Sequence, residues 1–445
     1  MVYAHGLAGG EGACVCGAVV WFEDMNALPA FVVSVLFSAT AWAGNWPSWR
    51  GPTGDGVTTE RDLPLKWSAT ENVAWRIPLP GPGNSTPVVW GERVFLTQAE
   101  EGGRKRSLVC YDRKEGKEVW KRSVTWEKPE MTHETNPQCS ASPATDGERV
   151  VVCFGSAGVV CWDMEGKELW KRDLGEQRHI WGSGTSPVLA GDTVLLNFGP
   201  GPGQTLYCLN KKDGQVVWKH AEPGGDSGET PKGGGKAVWT GSWSDPLLRK
   251  AGGREELLMT WPGRVCAHDP ATGKVLWECK GLNPLVYTSP VFEDGVVVAM
   301  GGYNGSALAV KAGGNGDVTE KRLWLAERTR QRIGSPVVHE GHVYILTDPG
   351  FAECRKMADG TMVWEERLKG PGPAGTNWSS LVKSGDRLYA VNQGGDAFVF
   401  RAAPKFELLA TNPMGERVIG SVAVSDGQLF IRGYKNLWCI GERRK

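Results

Sequence analysis

Residues 108–124 read LVCYDRKEGKEVWKRSV: an apolar run, a polar turn carrying one glycine, and a second apolar run that arrives at a tryptophan. The phrase returns as VVCWDMEGKELWKRDL (159–174), LYCLNKKDGQVVWKHA (206–221), VCAHDPATGKVLWECK (265–280) and CRKMADGTMVWEERL (354–368). Alternating polarity over so few residues on either side of a glycine turn marks a hairpin of half-buried strands. Trp75, Trp120, Trp170, Trp218, Trp277, Trp324 and Trp364 hold the same place in it, spaced 45, 50, 48, 59, 47 and 40 residues apart. A second piece precedes the phrase. It has a Ser/Thr-Pro pair, an apolar strand, a glycine turn and another apolar strand, as in STPVVWGERVFLT (85–97), TSPVLAGDTVLLNF (185–198) and GSPVVHEGHVYIL (334–346).

The two pieces together spell four strands at the period of a propeller blade. Blade heads fall near Thr86, Ser142, Ser186, Asp245, Ser289, Ser335, Ser380 and Ser421, which makes eight. Glycines such as Gly91 close the first hairpin and Gly116, Gly166, Gly214, Gly273 and Gly360 the second, where positive φ is cheap for glycine alone. The tryptophan is expected to end the outer strand and wedge between neighbouring blades, burying about 150–250 Å² of ring. In the seventh blade, AAPKFELLA (402–410) offers Leu408 and Leu409 instead. The eighth, GSVAVSDGQLFIRGYKNLWCIG (420–441), runs out after three strands, while Trp75 in NVAWRIPLP belongs to an outer strand with no blade before it. Both oddities vanish if residues 72–79 complete the last blade. The expectation is an all-β protein: an eight-bladed β-propeller of four-stranded antiparallel blades, one domain over residues 72–445, closed by an N-terminal strand so that no sheet edge of the ring stays open.

Lys+Arg 50 against Asp+Glu 50 leaves no net field for phosphate backbones or anionic lipid, which argues against a nucleic-acid partner. Residues 25–43, MNALPAFVVSVLFSATAWA, end in the small-x-small triplet Ala41-Trp42-Ala43 of a signal peptide cleaved before Gly44, and are short for a span of about 20 apolar residues. Glu23 and Asp24 stand where positive charge belongs, so residues 1–24 read as a misassigned extension and Met25 as the true start. With Gly44 after the cleavage point and no lipid-anchoring cysteine, the sequence reads as a soluble periplasmic or secreted monomer carrying a leader over residues 44–71. Nine cysteines follow residue 43; Cys110, Cys161, Cys208, Cys354 and Cys439 share one repeat position with Ala267, so small apolar volume explains them. Cys153 and Cys161, flanking GSAG, are the one candidate disulfide. PKGGGK (231–236) lacks the spacing of a phosphate loop and reads as a surface loop, and the histidines lack zinc spacing, which leaves His133 and Glu134 on the 125–137 insertion as the only metal candidates.

The Ser-Pro heads, the LYCLNKKDGQVVW-type hairpins, the split last blade and the leader NWPSWRGPTGDGV (45–57) running into WSATENVAWRIPLPG (67–81) resemble the propellers built from pyrroloquinoline quinone (PQQ) repeats. That group holds quinoprotein alcohol dehydrogenases and the propeller lipoprotein of the outer-membrane β-barrel assembly machinery. The likeness runs over residues 45–441 and implies the fold together with a choice of roles. One is a binding or scaffolding module for other envelope proteins, without cofactor. The alternatives are a PQQ- and calcium-dependent oxidoreductase and a polysaccharide-handling accessory protein. The sequence departs from the enzymes in having no adjacent cysteines for the strained disulfide beside their cofactor and no extra length for capping the site, and from the lipoprotein in lacking the anchoring cysteine.

In a propeller the innermost strand starts at the channel mouth, so residues at or just before each head face a shared funnel. Here these are Asn84, Gln138, Trp181, Trp243, Asp245, Tyr287, Arg332, Asn377, Trp378 and Arg417. Aromatic walls with one carboxylate and two guanidinium groups suit a flat, anionic or sugar-like ligand. The competing reading is that Asp245 caps a turn and the arginines serve backbone carbonyls.

Overall fold

A computed structural model describes residues 44–230, 236, 239–373 and 375–443; the expected signal segment and residues 231–235 of the PKGGGK loop lie outside them. The first blade runs Val88–Trp90, Arg93–Glu100, Lys105–Asp112 and Glu118–Thr125, each strand antiparallel to the next. The same four-strand order repeats around eight blades. In the eighth, Ala423–Ser425, Gln428–Arg432 and Asn436–Ile440 take their fourth strand from Val73–Pro78, with Trp75 opposite Cys439. No helix among the described residues is long and apolar enough to cross a membrane. The apolar core is divided between the blades: separate buried clusters fill successive junctions, and the largest joins the seventh, eighth and first blades with Trp46, Leu63 and Trp67 of the leader.

The tryptophan does not end the outer strand as the sequence suggested. It stands near the strand's start, just after a β-bulge that leaves one residue unpaired, Val119 before Trp120 and Leu169 before Trp170. A bulge re-aims the side chain that follows it, and here the indole is carried into the neighbouring blade. Its Nε1 donates to a carbonyl of that blade's second hairpin: Trp75 to Arg113 (2.7 Å), Trp120 to Met164 (3.0 Å), Trp170 to Lys211 (2.9 Å), Trp218 to Pro270 (2.8 Å), Trp324 to Met357 (2.8 Å) and Trp364 to Ala403 (3.0 Å). The ring lies on the hairpin glycine. A Cβ on Gly214, whose φ is +71°, would sit 2.5 Å from the Trp170 ring, so both the turn and the wedge require glycine. Within its own blade the tryptophan faces the shared small residue, Cys110, Cys161, Cys208, Ala267 or Cys354, which leaves room for it. All nine cysteines beyond residue 43 are buried, and Cys153 and Cys161 are free thiols rather than a disulfide.

Two blades depart from this scheme. Trp277 donates to Glu256 of its own blade (2.9 Å), and Gly316–Asp317 pairs parallel to its strand as an extra outer edge. In the seventh blade the position after the bulge is Ala410, opposite Val399, rather than Leu408 or Leu409. The leader's Trp67 packs in the same cluster as Ala410.

A second circle ties the innermost strands together at the heads. The backbone N–H of seven of the eight heads donates to the side chain of the next: Thr86 to Ser142 (2.8 Å), Ser142 to Ser186 (3.1 Å), Ser186 to Asp245 (2.8 Å), Asp245 to Ser289 (2.8 Å), Ser289 to Ser335 (3.1 Å), Ser335 to Ser380 (2.9 Å) and Ser380 to Ser421 (3.0 Å). This is what the Ser/Thr-Pro signature does. It satisfies inner-strand amides that face the channel and would otherwise be buried without acceptors.

The leader closes the far end of the channel. Trp46 bridges Val89 of the first blade, the Pro47 carbonyl accepts from Thr145 of the second, and Arg249 of the fourth holds Asp55 (2.5 Å). The fully buried Arg50 donates to Leu381 O (2.8 Å), Pro336 O (2.6 Å) and Asp55 O, and Val57–Thr58 adds a parallel strand to the inner edge of the seventh blade. Burial lowers the Arg50 guanidinium to about 10, partly offset by Asp55. The ring therefore encloses a well plugged at the leader end and open at the mouth.

Candidate functional site

Depressions lie on both faces of the ring. The leader side carries one of about 850 Å³ between residues 47–57 and the ends of the inner strands. Most of its charged groups are already engaged: Asp55 with Arg249, Asp146 with Lys211 (2.9 Å), and the Glu293 carboxylate with the N–H groups of Glu340 and Gly341. The mouth side holds the smaller cavity, about 290 Å³, where the inner strands begin.

The mouth cavity gathers Asn84, Trp181, Trp243, Tyr287, Arg332 and Trp378 from segments leading into six different heads. Trp243 and Tyr287 stack at 4.6 Å with planes 11° apart, and Tyr303 continues the row 5.7 Å from Tyr287. The Arg332 guanidinium lies 4.2 Å over the Tyr303 ring, with Asp348 Oδ2 3.5 Å from its Nε. Across the mouth, Trp181 meets His133 at 4.6 Å and Trp239 edge-on at 6.0 Å. The row is held from behind. The Trp243 indole donates to Gly182 O (2.9 Å), Asn136 Nδ2 bonds the carbonyls of Trp181 (2.7 Å) and Ser183 (3.0 Å), and Asn84 Nδ2 bonds Thr135 O (2.8 Å). Burial holds the Tyr287 hydroxyl far above its ordinary range, pushes the Asp348 carboxyl up, and lowers His179, which packs on Trp243, to about 4.

Asp245, Asn377, Arg417 and Gln138 are placed elsewhere. Asp245 is buried in the head circle, where it accepts from Ser186, and does not line the cavity. Asn377 is buried, its Nδ2 on the carbonyls of Thr347 and Phe351 (both 3.1 Å). Arg417 lies over Tyr434 at 5.0 Å and donates to Gln393 (2.7 Å), on a separate depression near residues 371–376. Gln138 packs under Gly103 and bonds Glu130 O (3.3 Å). Among the described residues no three His, Cys, Asp or Glu side chains are grouped so as to hold a metal ion, and His133 Nδ1 instead meets Thr135 Oγ1 at 2.8 Å.

Sequence reading missed Trp49, Tyr303 and the insertion residues Asn136 and Trp239. Trp49 stands in the leader's NWPSWRG stretch and lines the mouth cavity from the plugged end, while its neighbours Ser48 and Gly51 face the opposite depression. The pair of tryptophans around Pro47 was the available signal. Tyr303, in GGYNG, sits at positive φ (56°) in a turn whose glycines conceal any strand pattern. Asn136, from the 125–137 insertion, and Trp239, which follows the PKGGGK loop, stand on one side of the mouth beside Trp181.

Comparison with known proteins places this geometry. The model of the family described as "Outer membrane protein assembly factor BamB", a PQQ-repeat family, matches residues 17–123 and 104–366. Outer membrane protein assembly factor BamB of Yersinia pestis is 22% identical over 309 residues, 65% of this chain and 70% of that protein. Among solved structures, BamB from Moraxella catarrhalis superimposes with a TM-score of 0.59 at 15% identity, covering 84% of this chain and 98% of its own. Quinohemoprotein alcohol dehydrogenase from Comamonas testosteroni gives 0.67 at 12% identity, covering 92% and 82%. At these identities the structures share the fold, and sharing a fold does not carry activity across. The repeat, the eight closed blades and the match over most of its length make the chain a member of the PQQ-like β-propeller family typified by the outer membrane protein assembly factor BamB.

Proposed function

We propose that this propeller is a non-catalytic binding module of the cell envelope, exported by its N-terminal segment and working as a monomer in the periplasm or outside the cell. The observation that carries the reading is the blind cup: a ring stitched at every junction and plugged at one end presents a single, preformed aromatic mouth. Rigid walls of this kind suit recognition, because little ordering is needed on binding. Kinship with outer membrane protein assembly factors supports partners among other envelope proteins or a small ligand held at the mouth.

The likeness to quinohemoprotein dehydrogenases raises PQQ with calcium as the alternative, and the mouth residues do not fit that pair. PQQ is a tricarboxylate, and the one guanidinium lining the cavity, Arg332, already faces Asp348. Calcium needs about six to eight oxygen ligands, yet no carboxylate lines the cavity. Titrating the purified protein with PQQ and calcium, while following tryptophan emission and dye-linked alcohol oxidation, tests the choice. The binding-module reading expects no turnover. Micromolar binding with alcohol oxidation overturns it in favour of the oxidoreductase.

A further inference from the structure

From the composition of the mouth we infer that its ligand is a neutral carbohydrate, the end of an oligosaccharide whose sugar rings lie against the half-buried aromatic side chains that line it. The inference rests on the proposed binding role of this cavity. Three features of the cavity converge on that chemistry.

The first is the excess of flat ring surface. Trp49, Trp181, Trp243, Tyr287, Tyr303 and Trp378 all line a space of about 290 Å³. Pyranose rings present a face of C–H groups, and such a face packs on the negative face of an aromatic ring through dispersion and weak C–H contacts. The cavity lies near the lower end of the roughly 300–1,000 Å³ of small-ligand sites and is open above, so the end of a chain can enter while the remainder leads out.

The second is charge. Arg332 is the one Lys, Arg, Asp or Glu side chain on the lining, and His133, the other titratable group besides the tyrosines, is bonded to Thr135. The Arg332 guanidinium is matched by Asp348 at 3.5 Å and covers the Tyr303 face at 4.2 Å. An anionic ligand thus finds no unmatched cation. An ammonium ligand, which an aromatic cage would otherwise suit, meets a guanidinium where it needs a carboxylate.

The third is the mixture of unpaired polar atoms. Asn84 Oδ1, an acceptor, and three donors, the Nε1 groups of Trp181 and Trp378 and the Nε of Arg332, belong to lining side chains and have no hydrogen-bond partner within the protein. Buried polar atoms without partners are costly, and a hydroxyl both donates and accepts, so a polyol can satisfy atoms of either kind with small side-chain adjustments. A carboxylate offers acceptors alone and leaves Asn84 Oδ1 unserved.

The test is calorimetry, with tryptophan emission in parallel, on the full chain. The probes are the neutral trisaccharides cellotriose, maltotriose, mannotriose and tri-N-acetylchitotriose, run against trigalacturonate, PQQ and choline. At least one neutral trisaccharide binds, with an affinity that barely changes between about 0.05 and 0.5 M salt. Trp378→Ala weakens it at least about tenfold; the Trp378 indole N–H bonds nothing in the protein, so this variant loses no internal hydrogen bond, and an unchanged thermal midpoint verifies its fold. Trp243→Phe, which keeps a ring on Tyr287, gives a second and smaller loss. If only trigalacturonate, PQQ or choline binds, and Trp378→Ala abolishes that binding, the mouth remains a binding site and the carbohydrate assignment falls. If no probe binds at roughly 10 mM, or if binding is indifferent to Trp378, the carbohydrate assignment falls and the mouth loses its role with it.

Discussion

Asp245 is the only acid in a circle otherwise built from hydroxyl side chains, and its position changes what it does. Burial pushes its carboxyl up to about 8, against the pull of the Ser186 N–H and hydroxyl. An unfolded aspartate titrates near about 3.9, so between that value and about 8 the folded chain holds a proton that the unfolded chain has released. Stability therefore falls as pH rises through this window and levels off above it. Asp245→Asn keeps an acceptor for Ser186 and has no proton to lose. Its thermal midpoint should equal the parent's near pH 4 and exceed it by a growing margin up to pH 8; a constant difference across the range rules the account out. The sequence identified Asp245 as a blade head but counted it among the ligand candidates. One step along a strand decides whether a head side chain faces the mouth or the next blade, and composition at that point does not fix the step. The aromatic candidates were legible because a large ring placed before a buried hydroxyl has no room in the circle and must point outward.

The leader is the element that the sequence reading described least well. It carries no strand period, because its hydrogen bonds and ion pairs go to inner strands of the first, second, fourth, sixth and seventh blades in turn, and only Val57–Thr58 forms a ladder. Such a segment has nothing local to betray it beyond its own unusual content, two tryptophans, an arginine and three glycines within residues 46–56. Arg50 is its anchor. Replacing it with alanine strips donors from the carbonyls of Leu381, Pro336 and Asp55, and a hydrogen bond made by a charged group contributes about 1.5–3 kcal/mol. Limited proteolysis of Arg50→Ala should cut within residues 44–58 while the blades stay intact, and the emission of Trp49 should shift to the red as water reaches it from behind. A leader as resistant as the parent's would refute the anchoring role. The blade hairpins, by contrast, were legible because each glycine and each tryptophan answers to a partner one blade away, and that demand repeats along the chain.

At the scale of the molecule, the ring is held shut where its two ends meet. Val73–Pro78 supplies the missing strand, Arg113 reaches Ser425 O (2.5 Å) and Gln428 (3.2 Å), and Arg432 crosses to Thr97 O (2.5 Å), Ser85 (2.7 Å) and Gln98 (2.9 Å). Both guanidinium groups are fully buried, and burial lowers that of Arg432 to about 10. A chain beginning after Pro78 should expose the edge of Asn436–Ile440, associate through it, and return to monomers when a peptide of residues 67–81 is added; monodisperse behaviour without the peptide would show that closure is dispensable. Blade number and closure could be read from period alone, whereas the plug and the mouth rim, built from aperiodic loops, could not. The same seam also dictates an order of events during biogenesis. Trp67 and Trp75 leave the ribosome ahead of every blade, yet their partners, Met414 and Cys439, arrive with the last two. Contacts of such sequence separation form late. Until that last sheet is made the strand Val73–Pro78 has no edge to join, and residues 67–78 are the stretch that most needs a chaperone.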